Sequence, residues 1–166
     1  HGEGREPENY LASISLCDGK SSVERVVWGA DFYAYPRLSP DQKKLCWIQW
    51  NHPHMPWDNT QLCLASNNDG GLGDHTIIAG NNLDEAIFQP QWSPDGELYF
   101  VSDHNNWWNI CRFTKGQREI VVEADYEFGA PLWNLGMSTY CFIDAQTIGC
   151  IWTKNGLWNT GIIDLP

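Results

Sequence analysis

The sequence predicts an all-β fold, and three observations support this prediction. Short runs of aromatic and β-branched residues, such as the run from Leu98 to Val101, alternate with clusters of Gly, Pro, Asn and Asp. No apolar pattern with a period of about 3.6 residues persists over roughly ten positions, so no helix is expected. Finally, the phrase Ser-Pro-Asp occurs at Ser39 and again at Ser93, each time just before a β-forming run. Together these features indicate short strands joined by tight turns.

The repeated phrase indicates how the strands are grouped. At Ser93 the order Ser-Pro-Asp-Gly matches the position preferences of a type I β-turn. Copies of the phrase are marked by Pro36, Pro90 and, more weakly, Pro131, at spacings of roughly 40–55 residues that suit one propeller blade each. A loop inserted at residues 51–59 explains the longer first spacing. We therefore expect a partial β-propeller of about three and a half four-stranded antiparallel blades, without a catalytic α/β-hydrolase domain.

The repeat also divides the chain. Residues 1–30 are assigned to an outer half-blade, and residues 31–80, 81–123 and 124–166 to three successive blades. In the last blade we place the innermost of four strands at residues 130–133, where the weak third copy lies. A half-blade has an unpaired strand edge, and such edges invite pairing with another chain. Self-association through open blade edges is therefore expected.

Composition and charge exclude several classes of partner. The formal net charge of -11 argues against nucleic acid and anionic membranes. No apolar run is long enough to cross a bilayer, and no signal peptide is recognised. We expect a cytoplasmic protein that requires no cofactor.

Several residues are expected to be buried within the strands. Trp92 lies where an innermost strand meets the Ser-Pro-Asp turn, which predicts a core anchor. The six cysteines are Cys17, Cys46, Cys63, Cys111, Cys141 and Cys150. Most have apolar neighbours and none forms a C-x-x-C motif, so reduced, buried thiols are expected. The alternative is a disulfide between Cys46 and Cys63 on neighbouring strands.

Two motifs raise the question of chemistry within this chain. The segment from Gly136 to Tyr140 nearly matches the nucleophile elbow G-x-S-x-G, but it ends in Tyr and no strand-to-helix context follows. A turn followed by a strand is the better interpretation. A metal is suggested by His52, His54, Asp58 and His104, but H-x-H on an irregular loop lacks regular ligand spacing. No catalytic residue and no metal site are expected.

Many short motifs, in order along nearly the whole chain, carry a specific family resemblance. The motifs begin at Asp31, Pro36, His52, Met55, Gln89, Tyr99, Trp107, Glu127 and Gly136. The chain resembles the prolyl-oligopeptidase-like serine peptidases of the dipeptidyl aminopeptidase or acylaminoacyl-peptidase type. The resemblance falls on their N-terminal propeller. It implies that the partner of this region is an α/β-hydrolase domain of the parent chain, which carries Ser, Asp and His and acts on short peptides.

Topology predicts which loops share a face of the propeller. In a four-stranded antiparallel blade, the loop between the second and third strands lies beside the loops that join successive blades. The inserted loop 51–59 therefore shares a face with residues 103–107 and 124–129. Candidate binding or interdomain residues on this face are His52, His54, Met55, Trp57, Asp58, Trp107, Glu127 and Phe128. The alternative is that the loop side chains fold back over the blade edge.

Two functions remain open from the sequence. The resemblance implies a non-catalytic propeller portion that gates or shapes the access of short peptides to a hydrolase domain. The alternative is a stand-alone propeller-type protein-interaction module with no enzymatic partner. A downstream G-x-S-x-G motif with later Asp and His would distinguish the two.

Overall fold

The computed structural model describes residues 6–16, 21–81 and 84–165, and these residues form thirteen antiparallel strands and no helix. The first sheet contains β1 (Tyr10–Ser15) and β2 (Ser22–Trp28). The second contains β3 (Phe32–Leu38), β4 (Lys44–Trp50), β5 (Gln61–Asn68) and β6 (Gly71–Ala79). The third contains β7 (Ile87–Trp92), β8 (Leu98–Ser102), β9 (Asn109–Thr114) and β10 (Gln117–Ile120). The fourth contains β11 (Tyr140–Asp144), β12 (Thr147–Lys154) and β13 (Leu157–Asp164).

Each sheet is a meander in which consecutive strands are hydrogen-bonded neighbours, which is the order expected of propeller blades. The all-β, partial-propeller prediction is therefore confirmed. Within the described residues, no helix is long and apolar enough to cross a membrane.

The Ser-Pro-Asp phrase closes the turn between the first two strands of both complete blades. The Ser93 hydroxyl donates a hydrogen bond to the Asp95 carboxylate, and the Ser93 backbone N–H donates to Glu97 O at 2.8 Å. The same arrangement occurs in the preceding blade, where Ser39 Oγ donates to Asp41 Oδ1 at 2.6 Å. Because serine bonds both the turn aspartate and the returning strand, the phrase fixes the hairpin and recurs wherever that hairpin recurs.

The first strands of the three larger sheets converge and form the main core. β3 and β7 each contain a bulge, at Tyr35 (φ 51°) and Gln89 (φ 46°). The Tyr35 ring meets Phe88 edge-on with centroids 5.9 Å apart, and the Tyr140 hydroxyl donates to Gln89 O at 2.9 Å. β11 therefore takes the same inner position in its sheet that β3 and β7 take in theirs.

The last sheet differs from the prediction. Residues 130–133 do not form its inner strand, and the sheet has three strands. Instead Glu127 bridges Thr153 of β12, while Ile151 N donates to Thr139 O at 2.8 Å. Glu127 and Thr139 therefore continue one inner strand, which is interrupted between them. We call the intervening residues 128–138 the excursion.

Trp92 is not the core anchor that the sequence predicted. It is half-buried, and its indole N–H donates to Arg37 O at 3.0 Å, which links two blades. The fully buried tryptophan is Trp47, which packs between the β1–β2 sheet and the next blade. β4 is a central strand covered on both faces, whereas Trp92 ends an inner strand, and this explains the difference.

The described cysteines are free thiols, so the alternative disulfide between Cys46 and Cys63 is not formed. Cys46, Cys63, Cys111 and Cys150 are buried, as expected, but Cys141 is exposed on β11. Burial raises the pKa of Cys46, Cys63 and Cys111 to about 12. The prediction for Cys17 lies outside the described residues.

Candidate functional site

The loop after β4 is tied at its base to the segment that enters β3. Asp31 N donates to Asn51 Oδ1 at 2.8 Å, and His52 N donates to Asp31 Oδ2 at 2.9 Å. The His52 ring meets Phe32 edge-on, with centroids 4.9 Å apart. These contacts place the inserted loop beside a connection between blades, which is the arrangement that the antiparallel topology predicted.

The tip of this loop is a compact turn. Met55 N donates to Asp58 Oδ2 at 3.1 Å, and Asp58 N donates back to Met55 O at 3.0 Å. Pro56 is buried and Trp57 is half-buried, whereas Met55 is 46% exposed. The loop therefore combines both sequence interpretations: part of it folds back onto the protein, and part of it faces outward.

The two other loops of this face are joined in the same manner. Ala86 N donates to Asp103 Oδ1 at 2.7 Å, and Trp108 N donates to Glu127 Oε2 at 2.9 Å. Phe128 N donates to Trp108 O at 2.7 Å. Glu127 thus holds one blade against the next, Phe128 is buried in the core, and Trp107 is exposed beside them.

Of the excursion, the sequence assigned only Phe128 to this site and predicted residues 130–133 as a strand, but Trp133 also contributes. The ring of Trp133 lies against that of Trp57, with centroids 4.2 Å apart and planes tilted by 37°. Trp133 is 70% exposed and Leu135 is 71% exposed. The available signal was that the third copy of the repeat replaces Ser-Pro-Asp by Asn-Leu-Gly, so it cannot form the same hairpin.

A buried ionic cluster supports the face from below. The Glu85 carboxylate accepts hydrogen bonds from Arg118, from Ser102 Oγ at 2.6 Å and from Gly80 N at 3.1 Å. His104 lies beside Ser102, with Nδ1 3.2 Å from the hydroxyl. Burial, together with the Arg118 guanidinium, lowers the pKa of His104 from its ordinary value. The cluster is built to hold Glu85 rather than to react.

One carboxyl group on this face, that of Asp103, has a shifted pKa. Burial raises the pKa of Asp103 above its ordinary value, and the acceptance of a hydrogen bond from Ala86 N opposes that shift. Asp103 therefore links the loop between β8 and β9 to the connection before β7, and it is partly buried because it lies between them.

The candidate metal ligands are not gathered into one group. His52 Nε2 lies 3.5 Å from Glu6, and Asp58 is occupied by the turn at Met55. Among the described residues, no group of three or more His, Cys, Asp or Glu side chains is placed to hold a metal ion.

Ser138 has the contacts of a structural residue. Its hydroxyl accepts from Gln89 Nε2 at 2.9 Å and donates to Tyr140 O at 3.1 Å. Among the described residues no histidine is hydrogen-bonded to this hydroxyl, so nothing there would activate a serine nucleophile.

Comparison with known proteins places the chain. A scan against protein-family models and a search of curated proteins each gave no match. Among solved structures, puromycin hydrolase and a Mycobacterium tuberculosis puromycin-hydrolyzing peptidase each superpose with a TM-score of 0.79 and 34% sequence identity over 86% of this chain. TolB from Acinetobacter baumannii superposes with a TM-score of 0.60 at 14% identity, covering 94% of this chain and 38% of that one, and shows the fold alone.

The fold and these matches define the class as a β-propeller segment. The chain spans only 22% of the length of the two puromycin-hydrolysing proteins. At 34% identity the likeness extends beyond the fold, and the chain corresponds to part of the propeller of prolyl-oligopeptidase-family peptidases.

Proposed function

We propose that this chain is the non-catalytic propeller portion of a serine exopeptidase or oligopeptidase, and that its loop face shapes the access of short peptides to an α/β-hydrolase domain. The observation that carries the proposal is the 34% identity to puromycin hydrolase over 86% of this chain, which spans 22% of that protein. A segment of that size within a peptidase has a catalytic domain beside it.

The geometry of the loop face supports this role. Loops of different blades lie on this face, and hydrogen bonds to Asp31, Asp103 and Glu127 tie each of them to a neighbouring connection between strands. Loops fixed on a rigid sheet scaffold are the usual carriers of binding function in proteins. The outward-facing groups on this face include Met55, Trp107 and the aromatic pair of Trp57 and Trp133.

We further propose that the parent acts on aminoacyl or acylaminoacyl peptides in the cytoplasm. The free thiols of the described cysteines suit a reducing compartment. The exposed acidic groups on the face, including Asp31 and Asp58, suit the free amino group of an aminoacyl substrate, which an acylaminoacyl substrate lacks.

The test is an activity assay on the full-length protein that contains this segment. Puromycin, an aminoacyl anilide and an acylaminoacyl anilide are supplied as substrates, with and without a serine-directed phosphonate inhibitor. We expect inhibitor-sensitive hydrolysis of at least one of them. No hydrolysis of any of these substrates would contradict the proposed function.

Two controls locate the activity. The 166-residue chain alone should hydrolyse none of the substrates. In the full-length protein, Ser138→Ala should leave the rate of hydrolysis unchanged, because Ser138 is bound to Gln89 and Tyr140 rather than to a base.

A second candidate function is a protein-interaction module, and one observation favours it. Leu157, Trp158 and Ile162 on β13 are all exposed. Trp158 and Ile162 lie on the same face of this strand, and exposed apolar side chains that share a sheet face are typical of association surfaces. Sedimentation of the chain over a wide concentration range tests this, and a monodisperse monomer of 18.9 kDa at high concentration would exclude self-association.

A further inference from the structure

The excursion adds nothing to the sheet that contains it. Glu127 bridges Thr153, and the carbonyl of Thr139 accepts from Ile151, so the two ends of the break lie two positions apart on β12. A single residue between Glu127 and Thr139 would suffice to continue an inner strand across that distance. Residues 129–138 are therefore surplus to the blade, and they lie beside the converging first strands of the molecule.

The excursion is nevertheless held firmly in place. The Tyr35 hydroxyl donates to Met137 O at 2.7 Å, and the Thr139 hydroxyl donates to Phe128 O at 2.5 Å. Leu132 is buried among core residues. A Cβ at Gly129 would lie 2.6 Å from the Trp108 ring, so the chain turns there against an aromatic wall. Contacts to two other blades thus fix a segment that its own blade does not need.

This fixed segment presents an aromatic surface. Trp133 projects from it with 70% of its surface exposed, and one side of its ring is backed by Trp57 at 4.2 Å. An aromatic ring that is braced in this manner loses little conformational freedom when a second ring stacks on its open side. Leu135 of the excursion and Met55 of the inserted loop are also exposed and apolar.

The charges on the same face select among aromatic ligands. Asp31, Asp58 and Asp125 are exposed there, and the chain as a whole carries a formal net charge of -11. This field attracts cations and repels anions. The fitting ligand has a flat aromatic side chain and a free, protonated amino group.

We propose that Trp133, backed by Trp57, is the stacking platform for the aromatic side chain of a short peptide or amino-acid amide with a free amino group. The proposal rests on the proposed function, since it names the substrate class that the loop face accepts. It also concerns a site that the sequence repeat alone does not contain, because the platform is formed by the surplus segment.

The test is a binding titration of the 166-residue chain, monitored by the NMR signals of the indole N–H groups. Puromycin, tyrosinamide and leucinamide are titrated separately. We expect the largest shifts at the indoles of Trp57 and Trp133 for the two aromatic amides, and weaker binding of leucinamide. Trp133→Ala should weaken the binding of tyrosinamide by about tenfold, and Trp133→Phe should restore part of it.

Trp158→Ala is the matched control, because Trp158 is similarly exposed but lies on β13. It should leave the affinity for tyrosinamide unchanged, and circular dichroism should be the same for all three variants. Unchanged binding in Trp133→Ala, an equal loss in Trp158→Ala or equal affinity for leucinamide would overturn the proposal. If the full-length protein hydrolyses puromycin while Trp133→Ala binds normally, the platform fails and the proposed function stands.

Discussion

The inner strands of the two complete blades differ sharply from the inner strand of the last sheet. β3 and β7 run without interruption into a Ser-Pro-Asp hairpin, and each has its bulge at the equivalent position, Tyr35 or Gln89. The strand that ends in β11 is broken after Glu127 and resumes only at Thr139. The regular strands form the core, whereas the break in the last inner strand places residues of the excursion on the loop face.

This difference separates the residues that stabilise the molecule from those that are available to a ligand. The largest fully buried side chains, Trp47 and Phe88 among them, lie in the regular blades. In the excursion, Trp133 and Leu135 face solvent. The regular blades supply most of the core, and the departure from the repeat supplies exposed apolar surface.

The largest expected effect contrasts Trp47 with Trp133. Trp47→Ala removes a fully buried ring and should lower the free energy of unfolding by about 3–5 kcal/mol. Trp133→Ala removes an exposed ring and should cost less than about 1 kcal/mol. Urea unfolding followed by circular dichroism measures both values. Equal losses would show that the excursion belongs to the core.

A second contrast concerns two ion pairs. Arg118→Met leaves the buried Glu85 carboxylate without its cation and should cost about 3 kcal/mol. Arg25→Met breaks an exposed pair with Glu8 and should cost at most about 1 kcal/mol. The same unfolding assay compares them. If Arg118→Met lowered the free energy of unfolding by less than about 1 kcal/mol, the buried cluster would not be a support of the loop face.

The thiols provide a smaller, kinetic contrast. Burial raises the pKa of Cys46, Cys63 and Cys111 to about 12, whereas Cys141 is exposed on β11. In a Cys17→Ser background, a thiol reagent at pH 8 should modify Cys141 at least about 100-fold faster than the buried thiols. Adding Cys141→Ser should abolish the fast phase. A fast phase that persists would place another thiol at the surface.

The smallest expected effect is a pH dependence from His104. Its pKa is lowered in the folded protein by burial and by Arg118, so the unfolded chain binds the proton more readily. Stability should therefore fall as the pH drops below about 6.5, down to the lower pKa of the folded state. In the His104→Gln variant, the midpoint temperature of thermal unfolding should vary less with pH over that range. An unaltered pH profile would show that His104 is not coupled to folding.

Much of the fold was predictable, because the residue types in the repeat identify where the turns lie. The Ser-Pro-Asp phrase located the hairpins, and the run before Ser93 was predicted as a strand at the residues where β7 forms. The antiparallel topology also placed the inserted loop and the segment around Glu127 on one face. Local hydrogen bonding between serine and aspartate, together with the φ angle fixed by proline, determines these hairpins, and such local chemistry is visible in a sequence.

The excursion was not predictable in the same manner. Residues 131–133 resemble the start of a blade. The inner side of β12 beyond β11 is nevertheless paired with Glu127 and Thr139, which are far apart in the chain. Which of two segments pairs with a strand is decided by tertiary contacts, here by Tyr35 and Gln89. The exposure of Trp133 follows from that choice.

The break in the inner strand also makes the last sheet a natural acceptor for grafted peptide. Its two ends, at Glu127 and Thr139, are held by β12 at neighbouring positions, so the segment between them is a closed loop whose anchoring does not depend on its length. Each doubling of such a loop costs only about 0.6 kcal/mol in closure entropy. The exposed part of the segment can therefore be lengthened or exchanged at small entropic cost, provided that the core contacts of Leu132 are kept. Protein engineers can use the same tolerance to insert other sequences at this position.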